Sequence, residues 1–152
     1  GEHISPGDFI PVAEQSGLIY QIGEWALLAA CQQAKIWLDR GLDFQRISVN
    51  VSGVQLQRNS LVTHVQQVLK QTELPAKYLE LEVTESALMH NMELSIQHLE
   101  QIKAMGVYIS IDDFGTGYSS LSYLNKFPFN TVKMDRSFIL DIEKIILCDE
   151  DP

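Results

Sequence analysis

Two aspartates, Asp112 and Asp113, stand side by side at the end of the run VYISI and ahead of a glycine-rich, hydroxyl-rich loop, FGTGYSSL. Adjacent carboxylates at one site raise each other's pKa unless a cation neutralises both. Comparable runs end in other polar groups: Asn50 in RISVNVS, Glu82 in YLELEVTE, and Lys133 with Asp135 in TVKMD. Asn50, Glu82, Asp112 and Asp113 offer only oxygen donors, three of them anionic, which is the ligand set of a hard cation such as magnesium, manganese or calcium. Two such ions sharing a carboxylate would suit phosphodiester cleavage, with Lys133 placed to hold a water or a phosphate oxygen. The plainer reading of Asp-Asp before a glycine loop is turn and cap chemistry, and taken alone the dipeptide fits that reading at least as well. Glu80 reads as structural, paired with a lysine or arginine that the sequence does not identify.

Other motifs carry less. Gly115-Thr116-Gly117 lacks the third glycine of a dinucleotide loop and the Gly-Lys-Ser/Thr of a phosphate loop. His3, His64, His90 and His98 show no metal-ligand spacing and read as surface or boundary residues. Asn50-Val51-Ser52 matches a glycosylation sequon but falls in an expected strand. Trp25, Trp37 and the methionines read as core or helix packing.

The elements that must position the oxygen donors follow from periodicity. Ser5-Pro6 starts a helix that Gly17 stops, and apolar residues near helical spacing predict a second helix over Ile22 to Asp39, stopped by Gly41. Further helices are expected over Ser60 to Gln71, Met92 to Met105 and Ser119 to Asn125. Between them lie four alternating segments. Ile47, Val49 and Val51 oppose Ser48 and Asn50; Leu79, Leu81 and Val83 oppose Glu80 and Glu82; Val107, Ile109 and Ile111 oppose Ser110 and Asp112; Val132 and Met134 oppose Lys133 and Asp135. Strands separated by helix-length crossovers define an α/β chain with parallel pairing. Strands of an open doubly wound sheet are apolar on both faces. Here one face is polar, so it must line a shared, wet or metal-bearing interior, and its polar groups cluster near the C-terminal strand ends, where a (β/α)8 barrel builds its active site.

Composition agrees with one soluble domain: 152 residues, 45% hydrophobic, with a formal net charge of -9. That charge excludes a sequence-independent grip on nucleic acid, which needs a basic patch. Cys31 and Cys148 form neither a disulfide framework nor a zinc motif, which fits a reducing, cytoplasmic setting. No apolar run approaches the ~20 residues of a membrane span. The chain opens on Gly1 and is expected to be a piece of something longer.

Four stretches, SPGDFIPVAEQSGLIYQIGEWAL, ISVNVSGVQL, LELEVTESALM and IDDFGTGYSSLSYLNKFPFNTVKMDRSFI, together resemble the central part of an EAL domain, the bacterial cyclic di-GMP phosphodiesterase family. The resemblance runs from Ile4 to Ile139. It implies a (β/α)8 barrel that uses Mg2+ or Mn2+ to hydrolyse cyclic di-GMP to linear pGpG. By position, Asn50, Glu82, Asp112 and Asp113 correspond to metal ligands, Lys133 to the lysine beside the catalytic water, and Asp135 to a further carboxylate at the metal site. Glu85 corresponds to the glutamate that holds the loop from Phe114 to Leu121. The Glu-Ala-Leu strand would precede Ile4, and the later strands, with a further catalytic glutamate and the substrate-gripping residues, would follow. The expected organisation is therefore a central EAL segment over residues 1-141 and a divergent acidic tail or truncated helix over 142-152. A complete barrel takes about 250 residues. Four strands alone are expected to be inactive, and their open edges to favour a homodimer or swapped oligomer. The competing reading is a degenerate EAL domain that acts as a cyclic di-GMP receptor or protein-interaction module.

Overall fold

The computed structural model describes residues 4-115 and 125-136. Helix α1 (Pro6–Ser16) begins with proline at its first position, and Gly17 ends it in the left-handed region at φ 76°. Ser5 precedes it in extended backbone but makes no side-chain cap bond. Helix α2 (Ile19–Asp39) starts three residues before the periodicity predicts. The chain then alternates: β1 (Ile47–Val51), α3 (Gly53–Leu56), α4 (Ser60–Thr72), a 3-10 turn (Ala76–Tyr78), β2 (Leu79–Thr84), α5 (Glu85–Met89), α6 (Met92–Ala104), β3 (Tyr108–Phe114) and β4 (Thr131–Met134). The helix expected over Ser119 to Asn125, except its last residue, most of the loop from Phe114 to Leu121, and residues 142-152 lie outside the described residues.

All three strand pairings are parallel, in the order β1-β2-β3-β4. The sheet is therefore a run of consecutive, parallel, neighbouring βα units, as in part of a TIM-type barrel. Its apolar face carries Val49, Val51, Leu79, Leu81, Val83, Ile109 and Ile111, all buried, against α2, α4 and α6. Helix α4 shows why: Leu61, Val65, Val68 and Thr72 recur at three- and four-residue spacing and all are buried.

Five side chains depart from the sequence reading. Trp25 is 71% exposed rather than core, and Ile22 and Ile36 on the same helix are also exposed. Periodicity identifies an apolar residue but not what stands opposite it. His98 is buried rather than at the surface, because its Nδ1 pairs with the Leu56 carbonyl oxygen at 2.7 Å. Met134, assigned to the apolar face, is exposed at the sheet edge.

Candidate active site

The strand register brings the polar positions into rows. Asn50 pairs with Glu82, and Glu82 with Ser110, while Ser48, Glu80 and Tyr108 form the row below. Above them Thr84 pairs with Asp112. Each strand end is fixed locally. Ser52 and Gln55 form a capping box on α3, the serine hydroxyl accepting from Gln55 N and the Gln55 side chain accepting from Ser52 N, so the chain turns immediately after Asn50 and Val51. Thr84 caps α5 by accepting from Ala87 N, turning the chain just after Glu82. The two short helices pack closely, and a Cβ on Gly53 would lie 3.2 Å from the Ala87 Cα. Neither α3 nor α5 is long enough to show periodicity, but Ser-x-x-Gln after a strand is the signal that could have revealed α3.

The adjacent aspartates occupy an irregularity in β3. Ile111 pairs with Val132 and Phe114 with Met134, so the two residues Asp112 and Asp113 face the single residue Lys133. This is the geometry of a β-bulge, completed by Asp113 at φ 54°. The bulge keeps Ile111 and Phe114 both in the buried core while the two carboxylates fall between them. Asp112 Oδ1 accepts from Asp113 N at 3.1 Å. A non-glycine residue at positive φ is strained, and such strain gathers at functional sites.

Glu85 is only 3% exposed, and its Oε2 accepts from Gly115 N at 3.1 Å. It thus ties the first turn of α5 to the backbone two residues beyond Asp113. Asp135 N donates to the Phe114 carbonyl oxygen at 3.0 Å, which places Asp135 beside the same strand end.

Lys133 is the centre of charge compensation. Its ammonium pairs with Glu82 Oε1 and lies 3.7 Å from Glu80 Oε1. The hydrogen bond to Glu82, reinforced by the charges of Glu82, Glu80 and Asp112, raises the Lys133 pKa above its ordinary value despite partial desolvation. Glu80 finds the partners that the sequence left unnamed: Arg46 Nε donates to its Oε2 at 3.3 Å, and Lys133 approaches its other oxygen.

Asn50, Glu82 and Asp112 fit a hard cation in donor type, and they sit on neighbouring strands near their C-terminal ends. Ser110, in register with Glu82, is buried with its hydroxyl unpartnered among the described residues, a position suited to a polar ligand. Among the described residues no three His, Cys, Asp or Glu side chains gather closely enough to enclose a metal by themselves. In their present arrangement Lys133 supplies the positive charge to Glu82. A separate cleft beside β1 is lined by Tyr20, Glu24, Asn50, Gln55, Arg58 and His64 among others, with the Arg58 guanidinium 3.5 Å over the Tyr20 ring. Of the sequence-predicted site residues it contains only Asn50.

A parallel βα array with polar and acidic side chains near its strand ends is the architecture of part of a TIM-type barrel. The chain belongs to the EAL domain family, whose pattern it matches over residues 1-146. It is 50% identical over 139 residues to the bifunctional diguanylate cyclase/cyclic di-GMP phosphodiesterase MucR of Pseudomonas aeruginosa, covering 91% of this chain and 20% of that protein. It is 41% identical over 141 residues to the cyclic di-GMP phosphodiesterase PdeR of Escherichia coli, covering 93% of this chain and 21% of that protein. The structure of the P. aeruginosa MucR phosphodiesterase in complex with cyclic di-GMP superposes with a TM-score of 0.85 at 50% identity, over 92% of this chain and 57% of that one. The FimX EAL domain has the same fold, with a TM-score of 0.85 at 21% identity over 96% of this chain and 58% of that one. The chain thus spans about a fifth of these curated relatives and a little over half of the solved domains. Among the described residues no helix is long and apolar enough to cross a membrane.

Proposed function

We propose that this chain forms the central part of a cyclic di-GMP phosphodiesterase that hydrolyses its substrate to linear pGpG with Mg2+ or Mn2+. The observation that carries the reading is that Asn50 and Glu82 in register, with Asp112 two positions further along β3, bring oxygen donors to the C-terminal ends of three parallel strands, with Lys133 paired to Glu82. Asn50, Glu82, Asp112 and Asp113 would hold the cation, and Asp135 would add a carboxylate at the same strand ends. What a divalent cation supplies in such a site is Lewis acidity toward phosphate oxygen and a water of lowered pKa. Lys133 holds a phosphate oxygen or the attacking water through its ammonium. Glu85 acts at one remove: by accepting from Gly115 N it fixes the backbone that follows the strained Asp113.

An eight-stranded barrel needs four further strands, so the activity is assigned to the domain that includes them. The test is conversion of cyclic di-GMP to pGpG with Mg2+ or Mn2+, measured on the eight-stranded domain and on the 152-residue chain. Turnover by the domain, abolished by Glu82→Gln or Asp112→Asn, is the expected result. Binding of cyclic di-GMP without turnover would overturn the enzyme reading in favour of a receptor.

A further inference from the structure

We propose that Glu80, anchored by Arg46, is a positioning residue for Lys133: it retains the ammonium when a divalent cation engages Glu82, and so sets how tightly that cation binds. The inference rests on the reading of Asn50, Glu82 and Asp112 as a hard-cation site. Glu80 and Glu82 are same-face neighbours on β2, and one ammonium lies against both. A cation on Glu82 and the Lys133 ammonium are like charges competing for one carboxylate. Lysine has a flexible four-carbon stem and three donors, so it can give up Glu82 for an acceptor already 3.7 Å away without moving β4.

Glu80 is suited to receive it because Glu80 is fixed. Arg46 holds its Oε2 at 3.3 Å, leaving Oε1 toward Lys133. The Arg46 guanidinium is itself pinned over the Tyr108 ring, 3.7 Å from the centroid, and the Tyr108 hydroxyl pairs with Thr131 Oγ1 at 3.0 Å. The support therefore crosses all four strands, from the residue before β1 to the first residue of β4. Without Glu80, Lys133 would have Glu82 as the one carboxylate within ion-pair distance among the described residues, and a cation on Glu82 would have to displace the ammonium from it.

The test is Mn2+ binding to the 152-residue chain, followed through the free-Mn2+ electron paramagnetic resonance signal. Lys133→Met is expected to tighten binding and Glu80→Gln to weaken it, each by about fivefold. Loss of one negative charge near a cation site would weaken binding in any background. The decisive measurement is therefore Glu80→Gln combined with Lys133→Met, where the proposal expects the Glu80 effect to shrink to that background charge effect. Arg46→Met, which removes the anchor that keeps Glu80 Oε1 toward Lys133, should weaken binding only while Lys133 is present, and it carries the test if Glu80→Gln does not fold. An undiminished Glu80 and Arg46 effect in the Lys133→Met background overturns the proposal, as does absence of Mn2+ binding in both the wild type and Lys133→Met. If the coupling is found but the eight-stranded domain does not hydrolyse cyclic di-GMP, the phosphodiesterase reading alone fails.

Discussion

The two faces of the same four strands are held by opposite physics. On the helix-covered face, Leu79, Leu81, Val83, Ile109 and Ile111 are each at most 1% exposed, and close packing stabilises them. On the other face, alternate residues of the same strands carry Glu80, Glu82 and Lys133, which are kept by mutual compensation rather than by burial. One face tolerates no loss of volume. The other tolerates changes of volume but not of charge balance, because a buried carboxylate without a partner is costly.

Substitutions on the two faces should separate these terms. Leu81→Ala is expected to have the largest effect, a loss of about 2–5 kcal/mol through lost transfer energy and a residual cavity, read from the urea midpoint at unchanged slope. An effect below about 1 kcal/mol would mean that the helix-covered face repacks freely. Glu85→Ala comes next, because it removes the acceptor of Gly115 N. A loss of about 1–3 kcal/mol is expected, together with faster hydrogen exchange at the Gly115 amide, and unchanged exchange there would refute the tether.

The Lys133 pair should give a smaller and pH-dependent effect. Its folded pKa is raised, so the stability it contributes is fully present below the unfolded value of 10.5 and is lost as pH rises through the higher folded value. The stability difference between wild type and Lys133→Met should therefore be constant across neutral pH and shrink only in the alkaline range. A difference that changed between pH 5 and 8 would point to another titrating group. Least of all should follow from Asp39→Asn, which breaks an exposed pair with Lys35 one helical turn away. Less than about 0.5 kcal/mol is expected from thermal melts, and a larger loss would break the contrast between surface and interior charges.

Much of this architecture is legible in the sequence. The four strands, their helix-length crossovers and the polarity of each strand face follow from period-two and period-3.6 patterning, since those periods are geometric consequences of strand and helix. Two helix stops were also readable, because Gly17 and Gly41 adopt positive φ where other residues would be strained. The partners of Glu80 were not. Arg46 is 34 residues away and Lys133 is 53 residues beyond Glu80, and no local pattern encodes contacts at such separations.

The sequence by itself determined the family, the strand faces and the chemical type of every proposed donor, because these depend on residue identity and short-range spacing. Only the tertiary structure decided that Asp112 and Asp113 share one bulge opposite Lys133, and that the Glu85 carboxylate expected to hold the following loop does so through Gly115 N. It also decided that Lys133 is divided between Glu82 and an Arg46-anchored Glu80. Register between strands is set by the packing of the opposite, apolar face, so the arrangement of charges on the polar face is fixed by side chains that never touch them.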